Sequence, residues 1–331
     1  MLQGLSKFTR ITGCLLIMSL SVTALAQSRT DGSDYPNRPV RFLATQPPGG
    51  AIDFIARLIS QKMSESMGQQ FVVENRAGGS GIIATEMTAK AAPDGYTMVI
   101  VGPSFVVSPA LYPNLPYDPL KDLSAVSLVS NAPAMLVVHP SLPVRSIRDL
   151  IELARAKPGE LNFASSANGS SPHLSGELFK SMTGVNMTHV PYKGAAAGIT
   201  DLIAGRVHLS FASMASVINH AKAGKLRAIA TTGARRSSIA PELPTVAESG
   251  LPGFETGSWQ GVFVPARTPA VIVNRLNREI VRAINLPDIK AKLALDGTEP
   301  GDMTAEAFAQ WLRIEIPKWT KLANAIGLKV D

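Results

Sequence analysis

Three segments of the sequence place glycine or serine at the start of a predicted helix, which is the chemistry of an anion site built from backbone amides. A helix N-terminus carries unpaired N–H groups and the positive end of the helix dipole, so it binds a carboxylate or phosphate without a charged side chain. Glycine and serine are also common in ordinary turns, so one such turn is ambiguous, whereas three together favour a small anion. The turns are PPGGAID at 47–53, SSANGSSPHL at 165–174 and VPYKGAAAG at 190–198.

Three side chains within these turns each allow a structural and a functional interpretation. Asp53 lies early in the first helix, where it either pairs with the helix start or hydrogen-bonds a ligand or cleft water. His173 either braces its loop or works with Ser171. Lys193 either attracts an anion or is a solvated surface lysine. The sequence leaves all three open and favours loop bracing for His173.

An exported hydrolase that uses a serine of 165–171 with His173 is the enzyme alternative. Nucleophilic serine needs a base that is itself oriented by a third group, and two positions on one helix turn make that geometry awkward. The sequence also contains no G-x-S-x-G motif. We therefore expect a protein that is not an enzyme.

Several other function classes are disfavoured. The segment Gly79-x-Gly81-x-x-Ala84 resembles a dinucleotide fingerprint, but no acidic residue follows at the expected spacing. The five histidines are scattered, so no metal site or cofactor is expected. Aromatic residues make up 6% of the chain and its basic runs are short, which disfavours nucleic-acid binding.

The composition and spacing indicate an α/β protein. With 45% hydrophobic and 17% charged residues, the 331-residue chain is not disordered, and its 27 glycines and 24 prolines exclude a coiled coil. Strands are predicted at 40–45, 71–74, 96–102, 124–139, 161–164, 188–190, 207–211, 226–231 and 259–264. Helices are predicted at 51–67, 81–92, 146–156, 172–182, 195–204, 215–223, 269–285, 287–295 and 304–326, the last with Pro317 inside it.

The order of these elements predicts two α/β lobes joined by a hinge. Two consecutive strand–helix series are followed by terminal helices that return to the first lobe, so the chain crosses near residues 130 and 233. Lobe 1 is expected to contain 27–130 and 234–331, and lobe 2 to contain 131–233. Ligands of open α/β sheets bind at the carboxyl ends of the strands, which face each other across such a cleft.

Residues 1–26 have the pattern of a cleavable secretory signal peptide. Lys7 and Arg10 precede an apolar run that ends in Ala24-Leu25-Ala26. The competing interpretation is lipidation at Cys14, but the apolar run follows this cysteine instead of preceding it. Loss of the two basic residues lowers the net charge from +7 to +5. Cleavage also removes the chain's single cysteine. We expect a soluble monomer in the periplasm.

Seven blocks of the sequence, in order, resemble the tripartite tricarboxylate transporter substrate-binding proteins, also called Bug or TctC-like receptors. The resemblance extends from about residue 35 to the C-terminus. It implies a periplasmic-binding-protein-like (type II, Venus flytrap) fold with a hinged interdomain cleft, and an organic acid held by backbone amides and waters. The matching blocks are 35–57, 71–98, 117–129, 163–180, 190–207, 224–255 and 259–277.

The family's motifs assign ligand-binding roles to residues in five loops. The resemblance implies Gly49, Gly50, Ala51 and Asp53 in the first loop, Ser104 after Gly102 and Pro103, Ser165, Asn168, Gly169, Ser170, Ser171 and His173 in the second-lobe loop, Tyr192, Lys193 and Gly194 in the third turn, and Ala212 after a strand. The chain departs from the family at Ala167, usually glycine, and at His208 and Ala212, often acidic. These departures affect the choice of ligand more than the fold.

The resulting prediction is an extracytoplasmic receptor that delivers a small organic acid to a two-component membrane permease. A stand-alone sensor or scavenger that signals to a membrane partner remains the alternative role. Trp259 and Phe105 are assigned to core packing, with an apolar cleft wall as their alternative role. The sequence does not specify which acid is bound.

Overall fold

The computed structural model describes residues 34–295 and 297–328. The predicted signal peptide, its cleavage site and Cys14 lie outside these residues. The described residues from Pro36 onward form one compact unit of the chain, and all the elements below belong to it. Within the described ranges, no helix is both long enough and apolar enough to span a membrane.

The first three strands of the chain pair in parallel and form one edge of the sheet. Strand β1 (Val40–Ala44) lies between β2 (Phe71–Asn75) and β3 (Thr97–Val101), and both neighbours run parallel to it. Helices α1 (Ala51–Met67) and α2 (Ile82–Ala89) are the crossover connections. This confirms the predicted β-α-β-α-β unit, in which α2 is shorter than the predicted range.

Helix α1 has the bounds that the hydrophobic spacing predicts. Its buried face contains Ile52, Ile55, Ala56, Ile59 and Met63, which recur at the spacing of one helix side. The helix ends at Gly68, whose φ of 71° is the left-handed conformation that terminates helices and favours glycine. The start of α1 is therefore held by a packed helix body.

Helix α3 (Ser104–Leu111) follows β3 and was not predicted. It contains Pro109, and the consecutive residues Phe105, Val106, Val107 and Ser108 are all buried, so it has no amphipathic stripe. A short segment that is buried on all sides carries no helical period in its sequence. Phe105 packs against Phe263 with a ring-centroid distance of 4.6 Å, as expected for a core residue.

Strand β4 (Leu123–Val138) carries the chain from the first half of the sheet into the second. In the second half, β5 (Asn162–Ser165) lies between β6 (Thr188–Pro191) and β7 (Leu209–Ser213), parallel to both. Strand β8 (Arg227–Thr231) pairs antiparallel with β4. The helices of this half are α4 (Ile147–Ala156), α5 (Ser171–Thr183), α6 (Ala195–Ile203) and α7 (Met214–Lys222).

The two halves share one mixed sheet. Strand β9 (Gly257–Pro265) pairs antiparallel with β3 and with the first part of β4, up to Pro133. From Ala134 onward, β4 pairs instead with β7 and β8. Pro133 thus marks the point where β4 passes from one half to the other, within a single strand.

The chain returns to the first half at Gly257. Residues Ile239, Ala240 and Leu243 pack with Val217 of α7 in the second half. Thr231 of the same half bridges to Thr245. The segment between β8 and β9 thus belongs with the second half by its contacts. The sequence places the lobe boundary at residue 234, whereas this packing favours a boundary close to Gly257.

The terminal helices lie against the first half. They are α8 (Ala270–Ile284), α9 (Pro287–Leu295) and α10 (Ala305–Ala325), and β10 (Glu299–Pro300) pairs with β4 before α10. Helix α8 packs on α1 and β4, and α10 packs on α3 and β4. Helix α10 also contacts α5 of the second half, so it lies beside the crossing point.

Candidate ligand-binding site

The first predicted loop is shaped by Asp53, which lies inside it. The Asp53 carboxylate is 4% exposed and accepts hydrogen bonds from the Gly49 N–H (2.9 Å) and from the Asn75 amide (2.9 Å). Arg57 adds an ion pair with Nε at 2.9 Å from Asp53 Oδ1. Burial alone would raise the pKa of Asp53, but Arg57, the Gly49 N–H and Asn75 together hold it below its ordinary value. Asp53 is therefore an ionised brace that orients the loop.

The backbone of the same loop faces outward. Gly49 and Ala51 are exposed and Gly50 is half-buried. Gly49 has a φ of 82°, which favours glycine in this turn. The side chain of Gln46 accepts a hydrogen bond from the Ile52 N–H at 3.1 Å, which satisfies one of the free donors at the start of α1. A helix start of this kind suits an external anion, which accepts from N–H groups that the helix itself leaves unpaired.

His173 braces the loop in the second half of the sheet. Its Nδ1 accepts a hydrogen bond from the Gly169 N–H at 2.9 Å, across the turn that precedes α5. Gly169 has a φ of 71°. Among the described residues, no hydrogen bond joins His173 to a serine of 165–171, so the serine–histidine pair of the hydrolase alternative is not formed. The geometry favours the bracing role over the catalytic one.

A second histidine, His189, which the sequence did not single out, stacks on the ring of His173. The ring of His189 stacks on that of His173 with centroids 3.9 Å apart, and on Phe163 at 5.0 Å. His189 Nε2 lies 2.6 Å from Ser165 Oγ. Burial, the neighbouring His173 and Lys180 lower the pKa of His189 to about 4. The stack is thus uncharged at neutral pH and fixes Ser165 at the end of β5.

The pKa of His173 is also lowered, chiefly by burial, with Lys180 contributing in the same direction and Glu177 opposing it. A neutral ring can accept through Nδ1, whereas a protonated ring cannot. The hydrogen bond from Gly169 therefore requires the uncharged state that burial favours. The shape of the loop depends on this state.

The third predicted turn is tied to the second loop by backbone hydrogen bonds. The Tyr192 N–H donates to Ser165 O and the Gly194 N–H donates to Ser166 O, each at 3.0 Å. The Tyr192 hydroxyl points away into α6, where it donates to Asp201 at 2.8 Å. Lys193 is exposed. A ligand at this turn can therefore contact its backbone, whereas the Tyr192 hydroxyl is bonded to Asp201.

Two cavities lie beside the loop that precedes α5, and both include Ser171, the first residue of α5. The serine cavity, of about 180 Å³, lies at the ends of β5 and β7 and includes Ser165 and Ala212. The tryptophan cavity, of about 270 Å³, lies between α3, α5, β9 and α10. Its walls include Trp259, Trp311, Trp319, Glu255, Glu315, Leu174 and Leu328.

The predicted site residues divide into two groups. Ser104, Asn168, Gly169 and Ser171 line the tryptophan cavity, and Ser165, Ser171 and Ala212 line the serine cavity. The others line neither cavity and lie in the surrounding loops: Gly49, Gly50, Ala51, Asp53, Ser170, His173, Tyr192, Lys193 and Gly194. Ser104 is held by a hydrogen bond of 2.8 Å from its hydroxyl to Ser80 O.

The sequence analysis missed the wall that α10 contributes. Trp319 and Glu315 lie one helical turn apart, and the Trp319 indole donates to the Glu315 carboxylate at 2.6 Å. This i, i+4 spacing of an acid and an aromatic residue was the available signal. Trp259, assigned to the core, is 5% exposed and packs edge-on against Trp311, but it also lines the cavity. No cluster of three or more potential metal-binding side chains occurs in the residues described.

Comparison with known proteins gives a consistent result. Residues 55–328 match the family described as "Tripartite tricarboxylate transporter family receptor". A UPF0065 protein in the tcbD-tcbE intergenic region of Pseudomonas sp. (strain P51) is 42% identical over 313 residues, which cover 94% of this chain and 92% of that relative.

Two solved structures are similar over nearly the whole chain. An R. palustris protein solved with adipate is 41% identical with a TM-score of 0.66, covering 90% of this chain and 100% of that chain. MatC from Rhodopseudomonas palustris, solved with bound malate, is 30% identical with a TM-score of 0.63, covering 87% of this chain and 99% of that chain.

Proposed function

The chain belongs to the tripartite tricarboxylate transporter receptor family, and we propose that it captures a small carboxylate-bearing metabolite between the two halves of its sheet for delivery to a membrane permease. Its fold is the mixed α/β fold of the periplasmic binding proteins in this family. The family consists of receptors that are not enzymes. Beyond membership of this family, we propose that the protein delivers its ligand to a permease and that the loop residues described above bind the ligand.

The observation that carries the proposal is the meeting of the two cavities at Ser171. Ser171 begins α5, and the N-terminus of α6 starts at Ala195 in the wall of the serine cavity. No lysine or arginine lines either cavity among the described residues. An anion bound here is therefore stabilised by helix N-termini and serine hydroxyls, which suit a carboxylate.

The bound ligands of relatives agree with this chemistry. The R. palustris protein that shares 41% identity was solved with adipate, and MatC was solved with malate. Both ligands are dicarboxylates. We infer that this chain also recognises at least one carboxylate, at the loop of Asn168, Gly169 and Ser171 and facing the start of α3 at Ser104.

We further propose that the halves act as lobes that close on the ligand. The sequence predicts 27–130 and 234–331 in lobe 1 and 131–233 in lobe 2, and the contacts of Ala240 and Thr245 lead us to propose that lobe 2 extends close to Gly257. The segments that would flex are β4 at Pro133 and the return at Gly257. Gly257 has a φ of 150°, and a side chain there would approach Ala132 O to 2.6 Å, so the crossing requires glycine. Closure around a ligand shifts an open–closed equilibrium by the difference in affinity of the two states.

We propose a periplasmic location reached through the signal peptide at 1–26, and a two-component permease that recognises the closed form. The family supports both, since its members are receptors of tripartite transporters. The alternative of a stand-alone sensor is separated from transport by capture of membrane partners on the liganded and ligand-free protein. A receptor for transport binds permease subunits in the liganded form.

A thermal-shift screen of the chain starting at Gln27 tests ligand capture. The protein is unfolded, dialysed and refolded to remove co-purified ligand, and is then tested with mono-, di- and tricarboxylates. Ligand at 100 times its dissociation constant stabilises the fold by about 2.7 kcal/mol, which for a chain of this size is at least several degrees. Stabilisation by one class of acid supports the proposal, whereas no shift with any acid contradicts it.

A further inference from the structure

The tryptophan cavity has an electron-rich aromatic wall. Trp259, Trp311 and Trp319 are all the tryptophans of the sequence, and all three line this cavity. Trp259 and Trp311 meet edge to face with ring centroids 5.2 Å apart. The faces of indole rings attract cations through the ring quadrupole, and the attraction grows when the cation is desolvated. The wall thus suits an apolar body that carries positive charge.

The charge of this cavity is negative. Its charged lining residues, among those described, are two acids, Glu255 and Glu315. Glu315 is 5% exposed and is satisfied by the Lys318 ammonium at 2.7 Å and by the Trp319 indole. Lys318 also donates to the backbone carbonyl of Glu255 at 3.1 Å. One ammonium group therefore neutralises one of two carboxylates.

Glu255 is the carboxylate whose charge is poorly compensated. Burial is the main cause that raises the pKa of Glu255, the neighbouring Glu315 adds to it, and Lys318 and Trp311 only partly oppose it. Among the described residues, the buried Trp311 Nε1 atom near this carboxylate forms no hydrogen bond of normal geometry. A half-buried carboxylate with so little compensation is costly, and a ligand group that donates hydrogen bonds to it lowers that cost.

Glu255 lies close to the proposed carboxylate loop. The Ser175 hydroxyl on α5 is 2.8 Å from the hydroxyl of Thr256, the residue next to Glu255. Ser175 is one helical turn, or about 5.4 Å, from Ser171. Ser171 and Glu255 also line the same cavity. A ligand with a short aliphatic chain therefore spans from the helix N-terminus at Ser171 to the acidic end at Glu255.

We propose that the acidic end of the tryptophan cavity binds an ammonium group, so that the ligand is an aliphatic carboxylate with a cationic amine at its opposite end. Binding of the carboxylate end at Ser171 is part of the proposed function, on which this inference therefore rests. At the amine end, Glu255 supplies the counter-charge and the indole rings supply the wall. A second carboxylate at this end meets the uncompensated charge of Glu255 and is repelled.

Intrinsic tryptophan fluorescence tests the proposal, because all emission at long wavelength arises from residues of this cavity. We would titrate 6-aminohexanoate, hexanoate and adipate, which share a six-carbon chain and differ in the far end: ammonium, methyl or carboxylate. 6-Aminohexanoate is expected to bind at least about 10-fold more tightly than the other two. Hexylammonium, which lacks the carboxylate, is the fourth probe.

Variants locate the ammonium. Glu255→Gln is expected to reduce the affinity for 6-aminohexanoate at least about 10-fold and to leave hexanoate unchanged. Glu255→Asp retains the charge and is expected to retain the preference, so it separates charge from folding. Glu306→Gln changes an exposed acid on α10, the helix that carries Glu315, and is expected to have no effect. Circular dichroism melts establish that each variant is folded.

The outcomes separate this proposal from the proposed function. If adipate binds more tightly than 6-aminohexanoate, the ammonium site is overturned while carboxylate capture stands. If hexylammonium binds as tightly as 6-aminohexanoate and none of the acids binds, the cavity is a site for separate organic cations and the carboxylate function fails. An unchanged preference in Glu255→Gln also overturns the ammonium site.

Discussion

The hydroxyl groups of Ser175 on α5 and Thr256 before β9 are 2.8 Å apart in a buried hydrogen bond. This bond joins α5, whose N-terminus forms part of the proposed site, to the segment by which the chain returns to the first half. Thr256 is also tied to Thr232, whose hydroxyl donates to Thr256 O at 2.7 Å. Thr232 Oγ1 in turn accepts from the Ala134 N–H of β4 at 2.8 Å. Both crossing segments and the start of the ligand site therefore share one polar network.

Thr232→Val tests this network, and Thr231→Val is the control, because the two neighbouring threonines differ in the hydrogen bonds of their hydroxyl groups. Thr231 and Thr232 are both fully buried, but the Thr231 hydroxyl has no hydrogen-bond partner in the part of the chain that the structure describes. Thr232→Val leaves the Ala134 N–H without this acceptor, so we expect a loss of about 1–3 kcal/mol in the free energy of unfolding. Thr231→Val removes an unsatisfied group and is expected to be neutral or stabilising. Urea unfolding measures both, and equal losses would contradict the network.

Asp53→Asn tests the brace in the first loop. The substitution keeps the side-chain shape but removes the ion pair with Arg57. It also replaces one of the two carboxylate oxygens that accept from the Gly49 N–H and the Asn75 amide with an amide nitrogen, which cannot accept. We expect a loss of about 1–3 kcal/mol in stability and weaker binding of acids, because breaking a buried charge network is costly.

Asp288→Asn is the matched control for Asp53→Asn. Asp288 forms an exposed ion pair with Lys62 at 3.2 Å, and exposed pairs contribute about 0–1 kcal/mol. Chemical denaturation and calorimetric titration report the two effects. If both variants lose the same small stability and bind acids normally, Asp53 is not a brace of the site.

The stacked histidines predict that stability falls in acid. The pKa of His189 is about 4 in the folded chain against an ordinary 6.5, because of burial, His173 and Lys180. The unfolded chain is protonated first as the pH decreases, so stability is complete above about 6.5 and is lost between about 6.5 and 4. The full shift corresponds to about 3 kcal/mol, which solvent screening of this half-buried ring reduces to about 1–2 kcal/mol.

His189→Gln isolates this contribution. Glutamine cannot titrate and can still hydrogen-bond Ser165, so the variant is expected to lose less stability between pH 7 and pH 4.5 than the parent. Urea unfolding at both values gives the comparison. Parallel losses in variant and parent would show that His189 is not responsible.

Closure of the halves is measurable by distances between spin labels. The chain's single cysteine is Cys14, in the predicted signal peptide, so labels are introduced without background in the mature chain. Phe54 on α1 and Thr200 on α6 are exposed and lie on different halves. We expect the Phe54→Cys and Thr200→Cys pair to shorten its distance when ligand is added, and a pair at Phe54 and Lys90 within one half to remain constant. An unchanged distance with ligand bound would contradict hinge closure.

The periodic elements were predictable because their burial is one-sided. Helix α1 alternates buried and exposed faces, and its predicted range of 51–67 is confirmed. Helix α3 was missed because consecutive residues from Phe105 are buried and Pro109 argues against a helix. The segment 124–139, with Pro133 inside it, was compatible with one strand or two, and β4 is one strand because its pairing partner changes at Pro133.

The loops were predictable in position and less so in role. Glycine and serine marked the turns at Gly49 and Gly169. The sequence favoured bracing for His173 and left the role of Asp53 open, but it did not identify the partners Asn75 and His189, which lie in other elements. Glu255 is 60 residues before Glu315 in the sequence, so the acidic end of the tryptophan cavity appears only when α10 is placed beside the crossing.

Calorimetric titration of Ser171→Asp tests carboxylate capture most directly. Aspartate is favourable at the start of a helix, so the variant is expected to fold, yet it places a negative charge where the ligand carboxylate is proposed to bind. Ser146→Asp places the same charge at the N-cap of α4, far from the two cavities, and is the control. The parent and the control are expected to bind a saturating organic acid with one site, and Ser171→Asp to bind at least about 30-fold more weakly. Equal affinity in all three proteins, or no binding of any acid by the parent, would contradict the account.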